Sequence, residues 1–105
     1  MTEGAMPVVD ETVHQRTRLG ILTMLAEVGS ASFTHLRDTL GLSDGNLSRH
    51  LRVLEDAGYV RIDKTFRGRT PHTAVAATDE GRAALAGYLT ALEDMIERLR
   101  SAQPE

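Results

Sequence analysis

The chain has 105 residues, one domain's worth, with two Tyr, two Phe and no Trp, so its core must rest on Leu, Val, Ile, Ala and Met. The absence of cysteine excludes disulfides, thiolate metal sites and thiol nucleophiles together. No apolar run is long enough to span a bilayer, and no basic-then-apolar signal pattern opens the chain, so a cytoplasmic protein away from membranes is expected.

Residues 1–11 hold Gly4 and Pro7 and lack helical periodicity, which predicts a flexible N-terminal tail. A first helix is expected over Thr12 to Val28. Leu19, Leu22, Leu25 and Ala26 form its stripe, and Ile21, Met24 and Val28 widen it. Gly29 ends that helix, and Ser30 to Phe33 can supply a short strand.

From Phe33 to Val60 the pattern is two short helices around a tight turn. The first, roughly Thr34 to Leu40, places Leu36 and Leu40 one turn apart. Gly41 then suits the left-handed position that closes a helix, because it has no Cβ to clash. Ser43 is an N-cap candidate whose hydroxyl can accept from an amide two or three residues on. In the second helix Leu47, Leu51 and Leu54 make one buried stripe, and Gly58 ends it. Gly45, Asn46, Arg49, Arg52 and Asp56 remain on the outer face, flanked by Ser48 and His50. A greasy back with an Arg/Asn/Ser front suits a helix lying in a DNA major groove.

A hairpin follows. Tyr59 to Phe66 alternates with period two, which predicts a strand. Arg67-Gly68-Arg69-Thr70-Pro71 reads as a turn, and His72 to Ala77 as the returning strand. Between Lys64 and His72 stand Lys64, Arg67 and Arg69 and no acid, a composition that fits phosphate oxygens or the electronegative minor groove.

The net charge of −3 argues against a nucleic-acid partner until its distribution is considered. From His35 to His72 the chain carries a net +2, and the remainder carries −5. Acidic ends around a basic reading surface orient a protein on DNA without making all of it adhesive.

In the last helix, expected over residues 78–100, Thr78 is a cap and Asp79 and Glu80 sit where the helix dipole favours acids. Leu85, Tyr88, Leu89, Leu92, Met95, Ile96 and Leu99 form a heptad-like seam of about two repeats. Such a helix, at about 1.5 Å per residue, would project past a small body, and the same helix of a second copy is the simplest cover. A homodimer is therefore expected, the alternative being that this helix folds back on the first helix, with residues 101–105 as a second flexible tail.

Leu47-Ser48-Arg49-His50-Leu51, Leu54 and Ala57-Gly58-Tyr59-Val60 resemble the recognition-helix signature of the ArsR/MarR-type winged-helix regulators. They are especially similar to a family of small stand-alone winged-helix DNA-binding domains. Ala77-Thr78-Asp79-Glu80-Gly81-Arg82 resembles the family's entry into its last helix, with Ala77 where leucine is more usual. The resemblance, over about Arg18 to Leu99, implies a mainly helical fold with a small β-hairpin. That fold is a winged helix-turn-helix over 12–77 with a C-terminal dimerisation helix over 78–100. It implies a transcriptional regulator, not an enzyme, whose partner is double-stranded DNA.

Asn46, Ser48 and Arg49 are the expected base-edge contacts, and Arg52, Lys64, Arg67 and Arg69 the expected phosphate or minor-groove contacts. Ser43, at the start of the helix, joins them. The alternative is a winged-helix protein-interaction module within a larger assembly, although such modules usually lose the basic wing that this chain keeps. No phosphate loop, nucleophile elbow or zinc-protease pattern is present, and no cofactor is expected. His14, His35, His50 and His72 fall on four different elements, where surface or groove-facing positions are expected. Glu93, Asp94 and Glu97 lack the nitrogen or sulfur partners that transition metals favour, so no metal site is expected. Neither an effector nor an operator can be read from the residues.

Overall fold

A computed structural model describes residues 9–102. The elements in chain order are α1 (Glu11–His14), α2 (Arg16–Val28), β1 (Ser30–Ser32), α3 (Phe33–Leu40), α4 (Asp44–Asp56), β2 (Val60–Arg67), β3 (Thr70–Ala77) and α5 (Asp79–Ala102). The fold is the expected one: mainly helical, with a small antiparallel sheet beside a helix-turn-helix.

The N-terminal third departs from expectation. The single helix over Thr12 to Val28 is two helices, broken where Gln15 turns to extended backbone at φ −78° and ψ 133°. Side chains hold the break: Gln15 Oε1 accepts from the Arg18 amide at 2.9 Å, and Arg18 Nε donates to the Thr12 carbonyl at 2.7 Å. Hydrophobic periodicity is blind to one extended residue between two helices of compatible phase.

The α2 stripe is also rotated. Ile21, Leu22 and Leu25 are buried, Leu19 and Met24 are half-buried, and Ala26 and Val28 face outward. Of the expected tail, residues 1–8 lie outside the described residues, whereas Val9, Asp10 and Glu11 belong to the fold. Asp10 caps α1 by accepting from the Thr12 and Val13 amides, and its other carboxylate oxygen accepts the Tyr59 hydroxyl. At the other end Ser101 and Ala102 continue α5, and the rest of the expected tail lies outside the described residues.

The sheet order is β1-β3-β2. Register pairs Val60 with Ala77 at the base of the hairpin and Arg67 with Thr70 at its tip. The expected five-residue turn is therefore only two residues, Gly68 and Arg69. Gly68 takes φ +64° while Arg69 stays negative, the pattern in which a type II′ turn needs glycine first. Pro71 is part of β3, opposite Phe66. It is tolerated because β1 pairs only with Ala74–Ala76, leaving the outer edge at Pro71 open, where no amide is required.

Every element contributes to one core, β1 only through the half-buried Ala31, and the hairpin tip stays outside it. Leu36 of α3, Leu47, Leu51 and Leu54 of α4, and Val60 and Val75 of the sheet meet the α2 side chains. Leu85 and Tyr88 of α5 are buried there too, at 7% and 6% exposure. This corrects their assignment to a dimer seam: both face the chain's own body and are covered without a second copy. Leu92 also packs against this core.

Thr78 locks the start of α5 to the α4–β2 corner. Its hydroxyl donates to the Gly58 carbonyl at 2.6 Å and accepts from the Gly81 amide at 2.9 Å, and its own amide donates to the Tyr59 carbonyl at 3.1 Å. No helix among the described residues is long and apolar enough to cross a membrane.

Candidate nucleic-acid interface

The helix-turn-helix is built by local rules. α3 closes on Gly41 in the left-handed region, at φ 67° and ψ 38°, with the Leu42 amide bonded back to the Arg37 carbonyl at 2.9 Å. Ser43 then caps α4, its Oγ accepting from the Asn46 amide at 3.1 Å. That bond occupies a lone pair and leaves the Ser43 hydroxyl proton free to donate outward.

Arg37 spans the turn. Its Nε donates to Asp38 at 2.9 Å and its Nη1 to Asp44 at 2.9 Å. The paired carboxylates hold the guanidinium charged even more firmly than usual, and Arg37 draws the Asp38 carboxyl below the ordinary range. The two carboxylates are solvent-exposed and Arg37 is only half-buried, so the pairing orients α3 against α4 more than it stabilises the fold.

Behind α4 the three leucines are buried as expected, and so is His50, at 8% exposure. His50 is thus neither a surface nor a groove-facing residue. Arg18 Nη1 lies 3.2 Å from His50 Nδ1. A guanidinium only donates, so Nδ1 accepts and the ring is neutral with its proton on Nε2. Burial first, then the nearby charges of Arg18 and Arg49, push the His50 pKa below its usual value. Polar side chains can belong to a core when another element brings a partner. No local pattern in α4 announces Arg18, 32 positions earlier. His14 also finds a distant partner, its Nδ1 lying 2.9 Å from the Tyr88 hydroxyl.

The outer face of α4 carries the expected polar set. Arg49 Nη2 donates to Asn46 Oδ1 at 2.7 Å, one helical turn earlier, so the two side chains form one unit pointing toward the start of the helix. Ser48 and Arg52 occupy the flank nearest the hairpin. With Leu51 and Glu55 of α4, Phe33 of α3, and Ile62, Lys64 and Thr73 of the hairpin, they line an open groove of about 590 Å³. Arg67 and Arg69 lie further out at the tip, too far to line this groove. Phe33, Ile62 and Thr73 were not anticipated as groove residues. Strand alternation and hairpin register find two of them, since Ile62 shares a face with Lys64 and Lys64 pairs with Thr73.

Ion pairing sharpens the charge pattern. Arg61 Nε lies 3.2 Å from Asp63, and Arg37 takes Asp38 and Asp44. Among the described residues, Arg49, Arg52, Lys64, Arg67 and Arg69 join no salt bridge, and only Glu55 and Asp56 remain as unpaired acids between His35 and His72. Within this segment the cations left without carboxylates are those of the α4 face and the hairpin.

A polar helix face beside a basic two-stranded hairpin, on a mainly helical core, defines a winged helix-turn-helix protein. The chain belongs to the winged helix DNA-binding domain family, whose model matches residues 17–96. It is 37% identical over 73 residues to an uncharacterised protein of Methanocaldococcus jannaschii, covering 69% of this chain and 78% of that one. A transcriptional regulator homologue of Pyrococcus horikoshii OT3 superposes with a TM-score of 0.81 at 34% identity, over 86% of this chain and 89% of its own. A MarR-family regulator of Enterococcus faecalis, with a TM-score of 0.68 at 24% identity over 86% of this chain and 80% of its own, shares the fold, as does an ArsR-family regulator.

Proposed function

We propose that the protein is a sequence-specific transcriptional regulator that acts in the cytoplasm as a homodimer on double-stranded DNA. In this reading α4 enters the major groove while the β2–β3 hairpin lies against the neighbouring minor groove or backbone. The observation that carries it is the local segregation of charge: of the seven cations between His35 and His72, five have no carboxylate partner among the described residues, and all five belong to α4 or the hairpin. Unpaired positive charge gathered on one helix face and the adjoining hairpin is the electrostatic footprint of a nucleic-acid binder.

The residue roles follow from position. Asn46, Ser48 and Arg49 are offered to base edges, Arg49 being able to grip guanine with two donors. Arg52 and Lys64, on opposite walls of the groove, suit the phosphate strand that separates the major from the minor groove. Ser43 suits a phosphate at the start of α4, where the helix dipole adds to the attraction, and Arg67 and Arg69 suit the minor groove or backbone. The far part of α5 supports the dimer: Leu89, Ile96 and Leu99 are 48%, 48% and 69% exposed. Two copies related by a dyad would read half-sites roughly 10 base pairs apart, centre to centre.

Binding-site selection from a random duplex pool tests this reading. A two-fold symmetric enriched site with that spacing is expected. A pool that shows no enrichment transfers the protein to the alternative class, an interaction module in a larger assembly.

A further inference from the structure

Of the four aromatic residues in the chain, Phe33 and Tyr59 are half-buried and Tyr88 is buried, while Phe66 is 71% exposed. Among the described residues no other large hydrophobic side chain is more open to water. Phe66 stands two residues before the two-residue turn, opposite Pro71, so the end of the hairpin presents two apolar groups side by side. A two-residue turn closes a continuous ladder of strand pairs beneath this tip. Strand alternation puts Phe66 on the face of β2 that carries Ile62 and Lys64, both of which line the groove shared with Ser48 and Arg52. The apolar tip therefore continues the surface assigned to DNA.

Charge identifies what covers it. Lys64, Arg67 and Arg69 surround Phe66 without a carboxylate partner among the described residues. Two such tips would repel each other, which disfavours a second copy as the occupant, whereas a polyanion is attracted. A phenyl ring gains nothing from a phosphate. In the minor groove, however, apolar side chains enter between base steps and part them, bending the duplex toward the major groove.

We propose that Phe66 is such a wedge: it enters the minor groove at the wing, partly unstacks one base step and bends the DNA. The ring needs a step that opens readily, so the site should carry a pyrimidine–purine step, TA or CA/TG, at a position α4 does not touch. The inference rests on the DNA-binding reading and adds a determinant of specificity that uses no hydrogen bond to a base.

The test uses the full chain and the duplex recovered by selection, with 2-aminopurine placed in turn at each adenine of the wing-contacted segment and a donor–acceptor dye pair at the duplex ends. Wild-type protein should raise 2-aminopurine fluorescence at one step and shorten the end-to-end distance. Phe66→Ala should abolish both signals and weaken binding roughly tenfold, within the range found when a base–aromatic stack is removed. Phe66→Leu, a smaller wedge, should keep part of each signal. Phe66→Lys should lose the fluorescence rise while holding or raising affinity through its added charge, a result that simple disordering of the hairpin would not give. Unchanged 2-aminopurine fluorescence with wild-type protein on a bound duplex overturns the wedge alone. A wild type that retains no duplex overturns the wedge and the DNA-binding reading together.

Discussion

Gly81 leaves no room for a side chain against Tyr59. A Cβ at Gly81 would fall within bonding range of the Tyr59 carbonyl oxygen and 2.9 Å from its carbonyl carbon. The oxygen is already engaged, since it accepts from the Thr78 amide, and the α4–β2 corner cannot recede without breaking that bond. Gly81→Ala should therefore destabilise the fold by about 1–3 kcal/mol, as overpacking does. Gly87, later in the same helix, meets nothing within 4 Å of an added Cβ. Gly87→Ala should be neutral or stabilise by about 0.5–1 kcal/mol through the better helix propensity of alanine. Urea unfolding of the two variants checks the contrast, and equal effects would remove the packing argument.

The revised α5 separates core from free surface. Leu85→Ala should cost about 2–5 kcal/mol of stability, because that side chain is buried in the monomer. Ile96→Glu combined with Leu99→Glu, both in the exposed stretch, should leave the melting of the body nearly unchanged and convert a dimer to a monomer. Light scattering that finds the double variant still dimeric would move the interface off this helix. Leu92 is the poorer probe, since it packs on the core as well.

His50 makes stability depend on pH in a definite direction. Its folded pKa is depressed, so between that value and the unfolded value near 6.5 the unfolded chain binds the extra proton. Stability from this group is complete above pH 6.5, falls as pH drops through the window, and levels off below the folded pKa. His50→Gln keeps an acceptor for Arg18 but cannot be protonated. It should lose less stability than wild type between about pH 7.5 and about pH 5.5. Identical losses in the two proteins would contradict the neutral, buried ring.

Arg67 and Arg69 bear on the wing. Positions at a hairpin tip suit backbone or minor-groove binding that carries affinity and little sequence information. Arg67→Ala with Arg69→Ala should weaken binding to all duplexes nearly alike. It should also reduce the slope of log affinity against log salt by about 2, near one unit for each phosphate no longer neutralised. Normal affinity with an unchanged slope would remove the hairpin from the interface.

Local chemistry explains which parts of this fold are legible in its residues. Gly41, Ser43 and the 47/51/54 leucines each specify their own neighbourhood, and the helix-turn-helix forms where they indicate. The alternation from Val60 onward likewise specifies the hairpin. What escapes is settled by contacts between distant segments. The break at Gln15 depends on Arg18 reaching back to Thr12, the burial of His50 on that same Arg18, and the inclusion of Asp10 on the Tyr59 hydroxyl. Leu85 and Leu99 have the same chemistry and compatible helical spacing, yet one is buried and the other exposed. Only the length of the body beneath α5 distinguishes them. In the interface the cations are plain in the sequence, but which of them stay unpaired is not, because that depends on where Asp38, Asp44 and Asp63 come to lie.

Base reading by α4 is tested most directly at Arg49. The residue is exposed, opposite the buried leucines, and tied only to Asn46 at 2.7 Å. Arg49→Ala should leave the melting temperature nearly intact. In competition binding against a panel of single-base operator variants, it should lose about 1–3 kcal/mol of discrimination at one symmetric base-pair position and keep it elsewhere. Affinity lowered equally for operator and unrelated DNA would make Arg49 a phosphate contact, and no change in either would contradict the placement of α4 against DNA.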